Sequence, residues 1–187
     1  MPEIHNPRLV LTPVDHTLVA SKLDELINYL QQQEFISGSA EIVAEHRCYS
    51  IGENFLYQVS FLGCSPTLFS DDGDQDIFIS IIEHSDVSFA FSSEIPPPRC
   101  PHCQKTDKSW RQYFQHWTEN KNKQEICPNC GDAFSFVDMK WKKNGGYGKC
   151  FIQVHGVQEN LAVPNPAFLQ SLQQFTQTEW EYFFADN

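Results

Sequence analysis

The sequence predicts an α+β fold: a mainly antiparallel sheet flanked by an N-terminal and a C-terminal helix, with a small metal-binding module inserted. Three observations predict it. Apolar residues recur at helical spacing near both ends of the chain. Between them lie β-branched and alternating runs of strand length. Two C-x-x-C pairs interrupt those runs. The 187 residues are 41% hydrophobic and include fifteen Phe, enough to bury a sizeable core rather than remain disordered. The body is assigned to residues 1–98 and 132–187, and the module to residues 99–131.

The N-terminal helix is expected from Thr12, Pro13 and Asp15, which read as an N-cap, a Pro at the first helical position and an acid in the first turn. Val19, Leu23, Leu26, Ile27 and Leu30 follow at helical spacing. Ser37, Gly38 and Ser39 mark a turn, and residues 41–48 fit either helix or strand. Residues 54–62, 77–83 and 87–91 read as strands, the first two separated by an acidic loop over 71–76. Pro96, Pro97 and Pro98 form a stiff spacer that no sheet interior tolerates.

Beyond the spacer, Trp110, Tyr113, Phe114 and Trp117 fall at i, i+3, i+4 and i+7, one face of a short helix. Residues 133–141 and 149–157 alternate, and Asn144, Gly145 and Gly146 between them predict a β-hairpin turn. Asn165 and Pro166 repeat the cap-then-proline signal for the last helix, whose stripe is Phe168, Leu169, Leu172 and Phe175. Residues 179–184 are too aromatic for a free tail and are expected to dock on the core.

Cys100, Cys103, Cys127 and Cys130 are the candidate metal ligands. Each C-x-x-C holds two thiolates on one tight knuckle, and two knuckles together make the tetrahedral sulfur cage that zinc prefers. Pro101 and Pro128 stiffen the knuckles, and Gly131 lets the backbone turn after the last ligand. The segment 99–131 resembles a zinc ribbon. That resemblance implies a metal-stabilised module and no particular activity. The expected cofactor is one structural Zn2+ per chain; iron accepts the same four thiolates, so spacing does not separate the two. A redox dithiol would leave the second pair unexplained, and a four-cysteine cage leaves no open position for catalysis at the metal. His102 is expected to face solvent.

Charge is unevenly divided. The net charge is −11, but residues 1–98 carry three basic and fifteen acidic residues, whereas 99–150 carry ten basic and five acidic. An acidic body beside a basic module offers two fields for choosing partners. Asp71, Asp72, Asp74 and Asp76 form a candidate docking loop for a basic partner. Asp72, Asp74 and Asp76, with Ser80 and Glu83, also partly match a calcium loop with Ile79 at its apolar position, but Ile77 occupies the position that needs Gly. Lys140, Trp141, Lys142 and Lys143 form a second candidate surface, since cations interleaved with aromatics can grip phosphates and stack bases. Against nucleic acid stands the net charge; against a binding role for Trp110 and Trp117 stands their helical spacing, which explains them as core.

Thiol candidates for catalysis are Cys48 with His46, Cys64 alone, and Cys150 with His155, none with an evident orienting third group. No nucleophile elbow, phosphate-binding glycine loop or H-E-x-x-H occurs. No apolar run approaches the roughly 20 residues of a membrane helix, and the first ten residues lack the features of a signal peptide. Seven cysteines, an odd number, and paired C-x-x-C motifs suit a reducing compartment, so a cytoplasmic protein is expected. The leading expectation is a non-catalytic protein-binding role, such as an inhibitor or immunity protein masking a basic toxin or enzyme surface. The alternatives are a nucleic-acid-binding accessory protein and a thiol- or metal-dependent enzyme.

Overall fold

Strong apolar alternation from several separated runs assembles one six-stranded antiparallel sheet in the computed structural model, which describes residues 7–16, 23–43, 46–63, 77–159 and 161–186. In chain order the elements are β1 (Arg8–Pro13), α1 (Leu23–Gln32), β2 (Ile36–Val43), β3 (His46–Ile51), α2 (Phe55–Gln58), β4 (Val59–Phe61) and β5 (Phe78–Phe91). Then follow α3 (Trp110–Glu119), β6 (Gln124–Ile126), β7 (Ala133–Ser135), β8 (Gly145–Val154), β9 (Ala162–Pro164), α4 (Pro166–Thr176) and β10 (Trp180–Ala185). The main sheet runs β10-β1-β8-β5-β3-β2, and β4-β9 and β6-β7 form two small ribbons. The α+β expectation holds. Among the described residues no helix is long and apolar enough to cross a membrane.

Side chains alternate across each strand, so the sheet has two distinct faces. Leu9, Leu11, Ile79, Ile81, Ile152 and Val154 share one face and form the main core with Leu26, Ile27 and Leu30 of α1 and Phe168 and Leu172 of α4. Phe35 stacks on Phe168 at 4.6 Å and Tyr29 on Phe175 at 4.2 Å, so aromatic pairs tie the α1 end to α4. The α4 cap forms as expected, with Asn165 Oδ1 accepting from the Ala167 amide at 2.9 Å. The aromatic C-terminal segment docks as β10, paired along β1 from Arg8↔Ala185 to Pro13↔Trp180.

Several local expectations are overturned. The helix start at Thr12 and Pro13 is instead the end of β1; Val19 lies outside the described residues. The run Leu9, Val10, Leu11 is buried on both faces, and Thr12 donates its hydroxyl proton to the Cys150 carbonyl at 3.0 Å. Burial of both faces outweighs the local cap signal. The strand predicted over 54–62 begins as α2. Phe55, fully buried, opens this single helical turn, and the strand resumes at the fully buried Val59 as β4. The strands predicted at 77–83 and 87–91 are parts of β5, with an irregular register between Glu83 and Ser88.

The predicted hairpin is also replaced. The run 133–141 breaks after β7, where Ser135 and Asp138 form a capping box around a 3-10 turn. Gly145 and Gly146 then lie inside β8, paired with Phe91 and Ala90. A Cβ on Gly146 would sit 2.3 Å from the Phe183 ring, so this glycine serves close packing and not a turn.

The long β5–β8 ladder carries the chain out of the main core and into a second one. There Phe89 and Tyr147 pack with Trp110, Tyr113 and Trp117 of α3, and with Phe134, Phe136 and Met139. The predicted aromatic face of α3 is thus core, with Phe114 packed at its edge.

Candidate metal centre and the surfaces around it

The first cysteine pair sits ahead of α3 and the second in the turn between β6 and β7. Their local backbones repeat one another. The Cys100 amide bonds the Lys105 carbonyl and the Gln104 amide bonds back to the Cys100 carbonyl; Cys127 does the same with Asp132 and Gly131. In each knuckle an amide two residues on points at the first sulfur, His102 to Cys100 and Asn129 to Cys127, both at 3.4 Å. Gln104 and Gly131 occupy equivalent places with φ of 61° and 79°. Only at Gly131 does the left-handed turn meet the residue that favours it.

The four sulfurs lie within 4.8 Å of one another, with Cys100–Cys130 at 3.9 Å and Cys103–Cys127 at 3.8 Å. A metal–sulfur bond of about 2.3 Å in a regular tetrahedron gives sulfur–sulfur edges of about 3.8 Å. The cage therefore fits a tetrahedral metal ion. Burial pushes the Cys100 thiol up. Burial opposes ionisation at Cys127 as well, but the Asn129 and Cys130 amides and the neighbouring thiols hold it down to about 6. A bound cation would favour the thiolate form of all four. His102 is no ligand; it is exposed, and its Nε2 donates to the Ala133 carbonyl at 3.0 Å.

The second core braces this cage. Cys100 and Cys127 are buried among the aromatic rings of the module. Asp107, buried ahead of α3, accepts from the Ser109 amide at 2.8 Å and from the Tyr113 hydroxyl at 3.0 Å. Burial and that carboxylate push the Tyr113 hydroxyl up to about 12. Asp107 escaped the sequence reading, although an Asp two residues before a Ser and a helix is a recognisable turn signal.

The other predicted residues separate into groups. Asp71, Asp72, Asp74 and Asp76 lie outside the described residues, as does Cys64. Ser80, from the calcium-loop pattern, is buried in β5 with Oγ 2.8 Å from His155 Nε2. Lys140, Trp141 and Lys142 come together with Arg99, Pro96 and Pro97 around a groove of about 380 Å3. Lys143 does not join them; its Nζ lies 3.3 Å over the Tyr182 ring. Cys150 faces the main core, where burial, reinforced by Glu83, pushes it up to about 12. His155 lies on the other face, held down to about 3 by burial and then by the charges of Arg8 and His46. Cys150 and His155 are therefore not brought together. His46 and Cys48 are both on β3, with Cys48 buried. Cys150 and the four candidate ligands are outside any disulfide.

No family model matches the chain, and no curated protein and no solved structure matches it.

Proposed function

We propose that this is a non-catalytic, zinc-stabilised protein that works by binding another protein, in the manner of an inhibitor or immunity protein that masks a basic surface. The observation that carries the reading is the closed four-thiol cage, fused through β5 and β8 to a strongly acidic body. Four protein ligands leave a metal ion no open position for substrate, so the ion acts as a staple. The staple holds a small aromatic core, and that core fixes the module against the main sheet. The thiol at Cys150 supports the same reading, since a thiol pushed up to about 12 carries almost no thiolate at neutral pH. Two C-x-x-C pairs gathered into a metal cage and not into disulfides suit a reducing, cytoplasmic setting. The excess of acidic side chains in residues 1–98 would speed encounter with a basic partner.

Two measurements test it. Elemental analysis of protein purified without chelator should find one zinc per chain, with none of the visible absorption of iron–thiolate bonds; iron in that place overturns the zinc assignment. Affinity capture should then recover a partner with a basic surface that salt releases. Recovery of nucleic acid alone, or of partners indifferent to salt, overturns the docking role.

A further inference from the structure

The basic side of the module has a shape of its own. Arg99 directly precedes the first ligand, Cys100, and exchanges two backbone hydrogen bonds with Lys140, at 3.0 and 2.9 Å. That pairing brings the first knuckle alongside the segment 140–142 and closes a groove of about 380 Å3 between them. Arg99, Lys140 and Lys142 are exposed, and among the described residues no carboxylate lies within ion-pairing distance of any of them. Several other cations of the chain are engaged, Arg47 with Asp24, Arg111 over Trp110, Lys121 over Trp117 and Lys143 over Tyr182, whereas these three share one concavity. Three unpaired cations around one concavity form an anion-binding surface. The exposed Pro96 and Pro97 and the half-buried Trp141 add apolar walls, and Gln104 and Thr106 add hydrogen-bonding groups.

We propose that this groove binds an acidic peptide segment of a protein partner. The features choose a peptide over a nucleic-acid strand. Trp141 is wedged among Phe89, Trp110 and Phe136, with centroids 4.7 to 5.8 Å away, and its indole N–H donates to the Tyr147 hydroxyl. It forms a wall and not the free platform that an unstacked base requires. The groove gathers three cations at one site, and the chain's net charge of −11 disfavours a long polyphosphate. Clustered carboxylates on a short peptide need only the local charge, and Arg99 offers them a two-pronged donor. This goes beyond the acid-driven docking proposed above, because it gives the module a ligand of opposite charge. Failure here leaves that docking role intact.

The test uses the full metal-loaded chain and two fluorescent probes at low ionic strength, a hexaglutamate peptide and a decathymidylate. Anisotropy should show binding of the peptide, weakened roughly tenfold in the double variant Lys140→Glu/Lys142→Glu, where two ion pairs become repulsions. Lys121→Glu, a cation of the same module outside the groove, should change it less than about twofold. Metal removal by chelator should abolish peptide binding, because the first knuckle forms one wall. Should the double variant misfold, as read by near-ultraviolet circular dichroism, Lys142→Gln at an exposed position replaces it and should weaken binding about threefold. No peptide binding, equal binding by the groove variants, or tighter binding of the decathymidylate would each overturn the proposal.

Discussion

Gly131 and Gly146 show how differently two glycines can be required. Gly131 closes the second knuckle at φ 79°, with open space where a Cβ would stand. Its substitution by Ala meets only backbone strain, of about 1 kcal/mol. The predicted result for Gly131→Ala is a small loss of stability with unchanged metal content, read by denaturant titration and elemental analysis. Gly146 is packed against Phe183, itself 2% exposed. Gly146→Ala drives a methyl into a ring that has nowhere to retreat, and should cost about 1–3 kcal/mol. Equal costs for the two variants would refute the distinction. The cysteine ligands were legible because ligand spacing is a local property of the chain. Gly146 was misread because its reason, Phe183, lies far along the sequence. Arg99 was overlooked as a groove residue for the same cause, since only its pairing with Lys140 brings the two cations together.

At the scale of elements, periodicity succeeded along the helices with one buried face and failed at β1 and at the short α2. The stripes of α1, α3 and α4 were visible because each helix has a wet side. The strand β1 was hidden, because burial of both faces erases alternation and left the Thr12 and Pro13 cap signal unopposed. The module combines a readable helix with short strands too brief to pattern, and its small core relies on the cage. This reliance is measurable. Trp110, Trp117 and Trp141 belong to the module, whereas Trp180 belongs to the main core. Chelation should therefore shift most of the tryptophan emission to the red while much of the far-ultraviolet sheet signal survives. The β5–β8 ladder would fray from its Phe91↔Gly145 end and hold at Ile79↔Val154. Loss of both signals in one step would mean that the two cores fold as a single cooperative unit.

For the molecule as a whole, the division of charge was readable by counting, but the buried polar group beside the apolar cluster of Val10, Phe151 and Phe183 was not. Ser80 and Gln153 pair across β5 and β8, and His155 stands just beyond them on the same face; all three are buried. Only the register reveals that these scattered polar residues meet. His155 makes the protein's stability depend on pH. In the unfolded chain its imidazole titrates near 6.5, whereas burial, then Arg8 and His46, holds it down to about 3 in the fold. Between those values the unfolded chain takes up a proton that the native chain refuses. Its contribution is thus fully present above about pH 6.5 and declines as the pH falls toward 3, by up to about 1.4 kcal/mol per unit. The thiolate cage also weakens in acid as its ligands protonate, so the comparison must isolate the imidazole. His155→Gln keeps a hydrogen-bonding group for Ser80 and removes the titration. The stability of the wild type minus that of the variant, from denaturant titrations between about pH 7 and pH 4.5, should shrink with that slope. A difference that stays constant with pH would show that His155 takes up its proton without unfolding.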